Sequence, residues 1–218
     1  MTPVRWAWVA AIAQAVFVVS WLVAQAWQGP RYNALSDTIS DMYAVTAPGG
    51  LFLVVVLTLC GIATVLFALL SVWPTLRPAG WTAAVGSILL ALSIYGLGDA
   101  LSPFEREACR IADPGCTGGD QMNNLGGRMD AILSTIGILC FVAAAFFLAA
   151  AMKRTPGWER AARPTRWVGV GFLVLIVVVG ASGSVDLGGL TERLLAAFGA
   201  VAIAALAVRV ARSRTTAA

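Results

Sequence analysis

Six apolar stretches, at about residues 4–27, 51–72, 81–101, 131–152, 167–183 and 194–208, take up most of this 218-residue chain. A helix needs roughly 20 apolar residues to cross a bilayer core of about 30 Å, and all its backbone polar groups must be satisfied within the segment. Six such segments leave no room for a separate soluble domain. The chain therefore reads as all-α: one polytopic membrane domain spanning residues 1–218, a bundle of six transmembrane helices. Only 12% of its residues are charged, against about 25% in soluble proteins. Trp6, Trp8, Trp21 and Trp27 lie near the two ends of the first stretch, where indole rings mark the membrane interface. Val23-Ala24-Gln25-Ala26 resembles a signal-peptide cleavage site. The stretch before it exceeds the 7–15 apolar residues of an ordinary signal core, so it is read as a retained span.

The basic residues set an orientation. With the amino terminus inside, the cytoplasmic segments hold Arg5, Arg77, Lys153, Arg154, Arg160, Arg163, Arg166, Arg209, Arg212 and Arg214, against one acid, Glu159. The other face holds Arg31, Arg106, Arg110, Arg128 and Arg193, diluted by all the remaining acids. The positive-inside rule then puts both termini in the cytoplasm and the loops 28–50 and 102–130 outside. Cys109 and Cys116 flank an Asp113-Pro114-Gly115 turn in the second of these loops. That turn folds the chain back, and an oxidising outer face would sustain a disulfide between them. Cys60 and Cys140 lie inside apolar runs and read as small buried hydrophobes.

In the first outer loop Leu35, Ile39, Met42 and Tyr43 recur at helical spacing. This pattern predicts a short amphipathic helix on the outer surface. The second loop ends in a glycine- and asparagine-rich run, residues 118–127, that breaks regular structure and suits a folded cap.

Acids near the membrane carry the functional signal, because a carboxylate at mid-bilayer costs about 2.5 to 3.5 kcal/mol and must be paired, protonated or wet. Asp99 follows Tyr95 by one helical turn, so the two share a face near the outer end of the third helix. Asp130 opens the fourth helix beside Arg128, with Ser134 one turn deeper; Asp186 ends the fifth, and Glu192 and Arg193 open the sixth. The functional reading is an outward-facing polar pocket for a lipid headgroup or small solute, with Asp99 and Arg128 as partners. The competing reading is that these charges only meet interfacial water and fix helix ends.

An enzyme acting on lipid or glycolipid at the outer leaflet is the alternative, with Asp99 and Asp130 as an acid–base pair. The chain has no histidine, which removes the commonest general base and the commonest zinc ligand. No catalytic residue, metal site or cofactor is assigned. The basic residues sit in short loops beside apolar spans and point to membrane lipids rather than nucleic acid as partners. A small transporter or a subunit of a larger complex also fits. The run Gly180 to Ser184 would let the fifth helix unwind, but no matching break is visible in the first half.

The segment Arg31-Tyr32-Asn33-Ala34-Leu35-Ser36-Asp37-Thr38-Ile39-Ser40-Asp41 resembles a motif of the bacterial membrane family known as domain of unknown function 998. That resemblance implies a multi-pass protein of the bacterial plasma membrane, with six helices and this Ser-Asp segment after the first. It adds Asn33, Ser36, Asp37, Ser40 and Asp41 to Tyr95, Asp99, Arg128 and Asp130 as ligand-binding candidates. Relatives often carry histidine before the fourth helix; here residues 123–128 read Asn-Asn-Leu-Gly-Gly-Arg.

Overall fold

A computed structural model describes residues 3–182 and 186–215. The Gly183 end of the fifth stretch, the unwinding expected there through Ser184, the start of the third outer turn and the Arg214 side chain lie outside what is described. Helix α1 is Pro3–Ala24 and runs on as a 3-10 turn, Gln25–Trp27. Helix α2, Gly50–Phe67, continues through a π turn, Ala68–Val72, into Trp73–Leu76. Helix α3 is Trp81–Ala91, followed by a separate π turn, Ile94–Gly98. Helices α4, α5 and α6 are Leu125–Lys153, Glu159–Ser182 and Gly188–Thr215. All six segments are long and apolar enough to cross a membrane. They pack as a closed ring in chain order, α6 returning against α1.

Three helices extend past their apolar stretches. Helix α4 begins at Leu125 because the Asn124 side chain accepts the Gly127 N–H at 2.7 Å, capping a first turn that hydropathy discounts. Helix α5 starts at Glu159 and carries Pro164 within it, and α6 starts at Gly188. Hydropathy detects only the part of a helix that faces lipid. On α5, for instance, Val174 and Val177 point outward and are exposed.

Helix α3 breaks after 11 residues, a rise of about 16 Å and so near the middle of the apolar core. Ser93 is extended, with φ −66° and ψ 169°, and its hydroxyl donates to the Leu90 carbonyl at 2.7 Å. The N–H groups of Gly96 and Gly98 both turn back onto the Ser93 carbonyl, at 2.9 and 3.2 Å. Irregular backbone at this depth must be buried in protein. Gly137 of α4 supplies the cover, lying so close that a Cβ there would stand 2.7 Å from the Ile94 nitrogen.

The break delivers Tyr95 to the ring's centre. Its ring packs against Phe17 of α1 at 5.9 Å, Phe141 of α4 at 5.0 Å and Phe172 of α5 at 6.3 Å between centroids. Its hydroxyl faces the Leu195 and Ala196 carbonyls of α6, at 3.1 and 3.0 Å. One side chain thus ties four other helices to α3.

The two long loops close one end of the ring. The first does not form the expected surface helix: only Ser40–Tyr43 is helical, a single 3-10 turn. Ile39, Met42 and Tyr43 are buried while Leu35 is exposed. The apolar face that suggested contact with lipid is covered by protein instead. Arg106 of the second loop donates to the Tyr43 and Ala44 carbonyls, both at 2.8 Å, and the Val45 N–H donates to Glu107 O at 2.8 Å. Cys109 and Cys116 are disulfide-bonded across a Cα separation of 6.2 Å. The second loop is a folded cap, as the sequence suggested.

Candidate functional site: an acidic chamber beneath the cap

Directly under the cap lies a cavity of about 250 Å³ lined by five of the helices and by the π turn that follows α3. Its carboxylates come from four places: Asp99 just beyond α3, Glu105 in the cap, Asp130 on α4 and Glu192 on α6. Tyr43, Ser40, Tyr95 and Ser134 add hydroxyls, Phe17 and Phe172 add rings, and no lysine or arginine lines it.

The local fold aims these groups inward. The π turn at Ile94–Gly98 carries Asp99 toward the axis, one turn beyond Tyr95. A 3-10 turn at Ser102–Phe104, with Ser102 Oγ donating to the Asp99 carbonyl at 2.7 Å, folds the chain back so that Glu105 follows it in. Asp130 accepts from the Tyr43 hydroxyl at 3.2 Å, and Glu192 accepts the Ile39 N–H at 3.0 Å. Glu105 is only 4% exposed, yet its Oε1 has no hydrogen-bond partner in the protein. Burial pushes the Glu105 carboxyl up to about 8, and the neighbouring Asp130 adds to the rise. Burial likewise pushes the adjacent Glu107 up to about 8, with Asp130 and Asp41 contributing and the Ser40 hydroxyl opposing.

The Ser-Asp segment divides between cavity and scaffold. Ser40 lines the cavity and donates to Glu107 at 3.3 Å. Asp41, fully buried, accepts from the Ile111 N–H, the Gln121 amide, the Thr38 N–H and the Thr38 hydroxyl, at 2.8 to 3.0 Å. It fastens the first loop to the second. Burial raises its pKa, and those bonds offset part of the rise. Asn33, Ser36 and Asp37 form a closed turn: Asp37 accepts the Asn33 N–H at 2.8 Å and the Ser36 hydroxyl at 3.0 Å. Arg193, buried on α6, grips the same turn through the Ala34 and Asp37 carbonyls and the Tyr32 hydroxyl.

Tyr95, Asp99, Asp130 and Ser40 are therefore brought together, while Asn33, Ser36, Asp37 and Asp41 hold the scaffold. Arg128 belongs to neither group. It is exposed, and its Nε donates to the Met122 carbonyl at 3.1 Å, so the expected partnership with Asp99 does not form. Asp186 is exposed and outside the cavity. Among the described residues the one ion pair is Arg110 with Asp113 in the cap, at 2.5 Å. Sequence reasoning passed over Glu105 and Glu107. The available signal was the Ser102-Pro103 turn after the third span, which returns the next residues to the helix ends.

The fold and site define a six-span membrane protein with a disulfide-bonded cap over an acidic internal chamber. The chain belongs to the family described as protein of unknown function (DUF998), whose model matches residues 9–209. No curated protein and no solved structure matches it.

Proposed function

We propose that this is a ligand-binding protein of the bacterial plasma membrane, with the capped end outside, both termini in the cytoplasm, and a lipid headgroup or small solute held in the chamber. The carrying observation is the convergence of Asp99, Glu105, Asp130 and Glu192 on one partly open cavity with no basic side chain in its lining. Groups that only mark helix ends would face interfacial water and would not share an interior cavity. The orientation rests on the charge asymmetry of the loops and on the disulfide at the capped end.

Native mass spectrometry of the protein, extracted gently from its own membrane, tests this. The wild type should carry a defined lipid or solute mass that Asp99→Asn loses while remaining folded. If both carry the same unselective lipids, or neither carries anything, the chamber is not a binding site. The break in α3 favours a second reading, solute passage, since discontinuous helices accompany midplane sites in transporters. Uptake of the identified ligand into proteoliposomes would separate the two.

A further inference from the structure

We propose that the chamber's ligand is an organic cation, an ammonium group of headgroup size that enters in exchange for a proton. This rests on the binding reading above and specifies its ligand class.

Two independent features point the same way. The first is the lining: four carboxylates and no cation, with the rings of Phe17, Tyr95 and Phe172 alongside. Ring faces attract ammonium groups, more strongly where water is excluded. The second is Glu105, buried in the wall with an oxygen that no protein donor reaches. A buried carboxylate left so is costly unless a proton or a cation meets it. A bare metal ion does not suit the geometry, because among the described residues no group of three acidic or cysteine side chains is placed to hold one. An anion or a phosphate would meet only like charge. The volume of about 250 Å³ lies just under the 300 to 1,000 Å³ of typical ligand pockets, so the occupant is small.

One proton leaves for each cation that enters. Without ligand, Glu105 holds its proton. When a permanently charged ammonium enters, the carboxyl O–H bond breaks heterolytically, the electron pair stays on the carboxylate facing the cation, and the proton leaves to solvent. The titratable groups that line the cavity with Glu105 are Tyr95 from the π turn, Asp99 just beyond it, Asp130 from α4, Glu192 from α6 and Tyr43 from the first loop; α1, α2 and α5 contribute apolar lining. Each of the acids disfavours ionisation of its neighbours, so the ligand's charge is what permits it.

The test is calorimetry on the full chain in phosphatidylglycerol nanodiscs, titrated with choline and with its neutral carbon isostere, 3,3-dimethylbutan-1-ol. Choline should bind at least about tenfold more tightly than the isostere, with release of roughly one proton near pH 7, read from buffers of different ionisation enthalpy. Glu105→Gln, checked for folding by gel filtration and thermal melting, should weaken choline binding by about tenfold or more and abolish the proton release. Equal affinity for alcohol and choline in the wild type overturns the proposal whether or not the variant folds. In nanodiscs that also contain phosphatidylethanolamine, selective retention of that lipid identifies a headgroup as the source of the ammonium. Choline binding without such retention identifies a free solute. A defined ligand in the native spectrum that is neutral or anionic leaves the binding reading intact and refutes this one. Absence of any ligand and of choline binding refutes both.

Discussion

Asp41→Asn replaces one carboxylate oxygen by an NH2 of nearly the same size, so its cost isolates the hydrogen bonding at the loop junction. If the amide nitrogen takes the Oδ1 position it faces the Ile111 N–H and the Gln121 amide; at the Oδ2 position it faces the N–H and hydroxyl of Thr38. Gln121 or the Thr38 hydroxyl can reverse, but a backbone N–H cannot. Either placement therefore leaves one buried N–H without an acceptor, at about 1–3 kcal/mol. The remaining bonds fall from charge-assisted to neutral strength, about 1 kcal/mol each, and removal of a buried charge returns part of this. The net is about 3 kcal/mol, or roughly a hundredfold in the equilibrium for opening the cap. Hydrogen exchange of the Ile111 amide, followed by mass spectrometry in nanodiscs, should accelerate by about that factor. Asp120→Asn is the control: Asp120 accepts three bonds to the four of Asp41, but its Thr117 and Asn123 partners are exposed. Its exchange should change by less than about threefold, as expected for an exposed cap residue. The reasoning fails if Ile111 exchange is unaltered by Asp41→Asn, or if both substitutions act equally.

Gly199→Ala should lower the thermal midpoint, with overpacking worth about 1–3 kcal/mol, because the new Cβ would sit 2.2 Å from the Tyr95 hydroxyl and neighbouring rings block that side chain's retreat. Gly180→Ala, with nothing within 4 Å, should be neutral or stabilising by up to about 1 kcal/mol. Glu105 and Glu107 have folded pKa values raised to about 8 from 4.5, so the native state holds their protons more tightly than the unfolded chain. Their contribution is complete below the unfolded value and lost progressively as pH rises to the folded one, so melting should shift downward from about pH 5 and level off above about pH 8. Replacing Cys109 and Cys116 together by serine should cost the cap about 2.5 kcal/mol by loop-closure entropy. In intact cells the reduced cysteines should react with an impermeant maleimide; reaction only after permeabilisation would invert the orientation.

The helices were legible because hydropathy over roughly 20 residues is a cumulative signal that no single residue can reverse. The fold-back of the cysteine loop was legible because Asp113-Pro114-Gly115 has one strongly preferred geometry. The first outer loop misled for a definable reason. Ile39, Met42 and Tyr43 carry a helical period, but periodicity reports that a face is covered, and does not say whether lipid or protein covers it. The break at Ser93 left no mark, since Leu92-Ser93-Ile94 contains no proline and serine is tolerated in membrane helices. What breaks α3 is tertiary: Gly137 makes room for the displaced backbone, and Tyr95 finds its partners on α6 only after the extended residue. Glu105 was missed because the Ser102-Pro103 turn that returns it to the helix ends lies just beyond the third apolar run, where hydropathy carries no information.

The acids of this protein sort by the donors they meet, and that sorting predicts opposite responses to the same chemical change. Asp41 takes four donors, Asp113 takes Arg110 and Thr46, and Asp120 takes Thr117 and Asn123. These carboxylates are committed to structure, so their conversion to amides can only subtract. Glu105 meets no donor, although like Asp41 it is buried. Conversion of such a group to an amide removes a buried charge without removing a bond. Glu105→Gln should therefore raise stability at about pH 9, by an amount on the order of 1 kcal/mol, and flatten the decline with rising pH, while weakening occupation of the chamber. Stability gained together with binding lost is the signature of a residue retained for its ligand. Were Glu105→Gln to destabilise the protein equally at about pH 6 and 9, the carboxyl would be a scaffold group like Asp41, and the chamber would lose its claim to a cationic occupant.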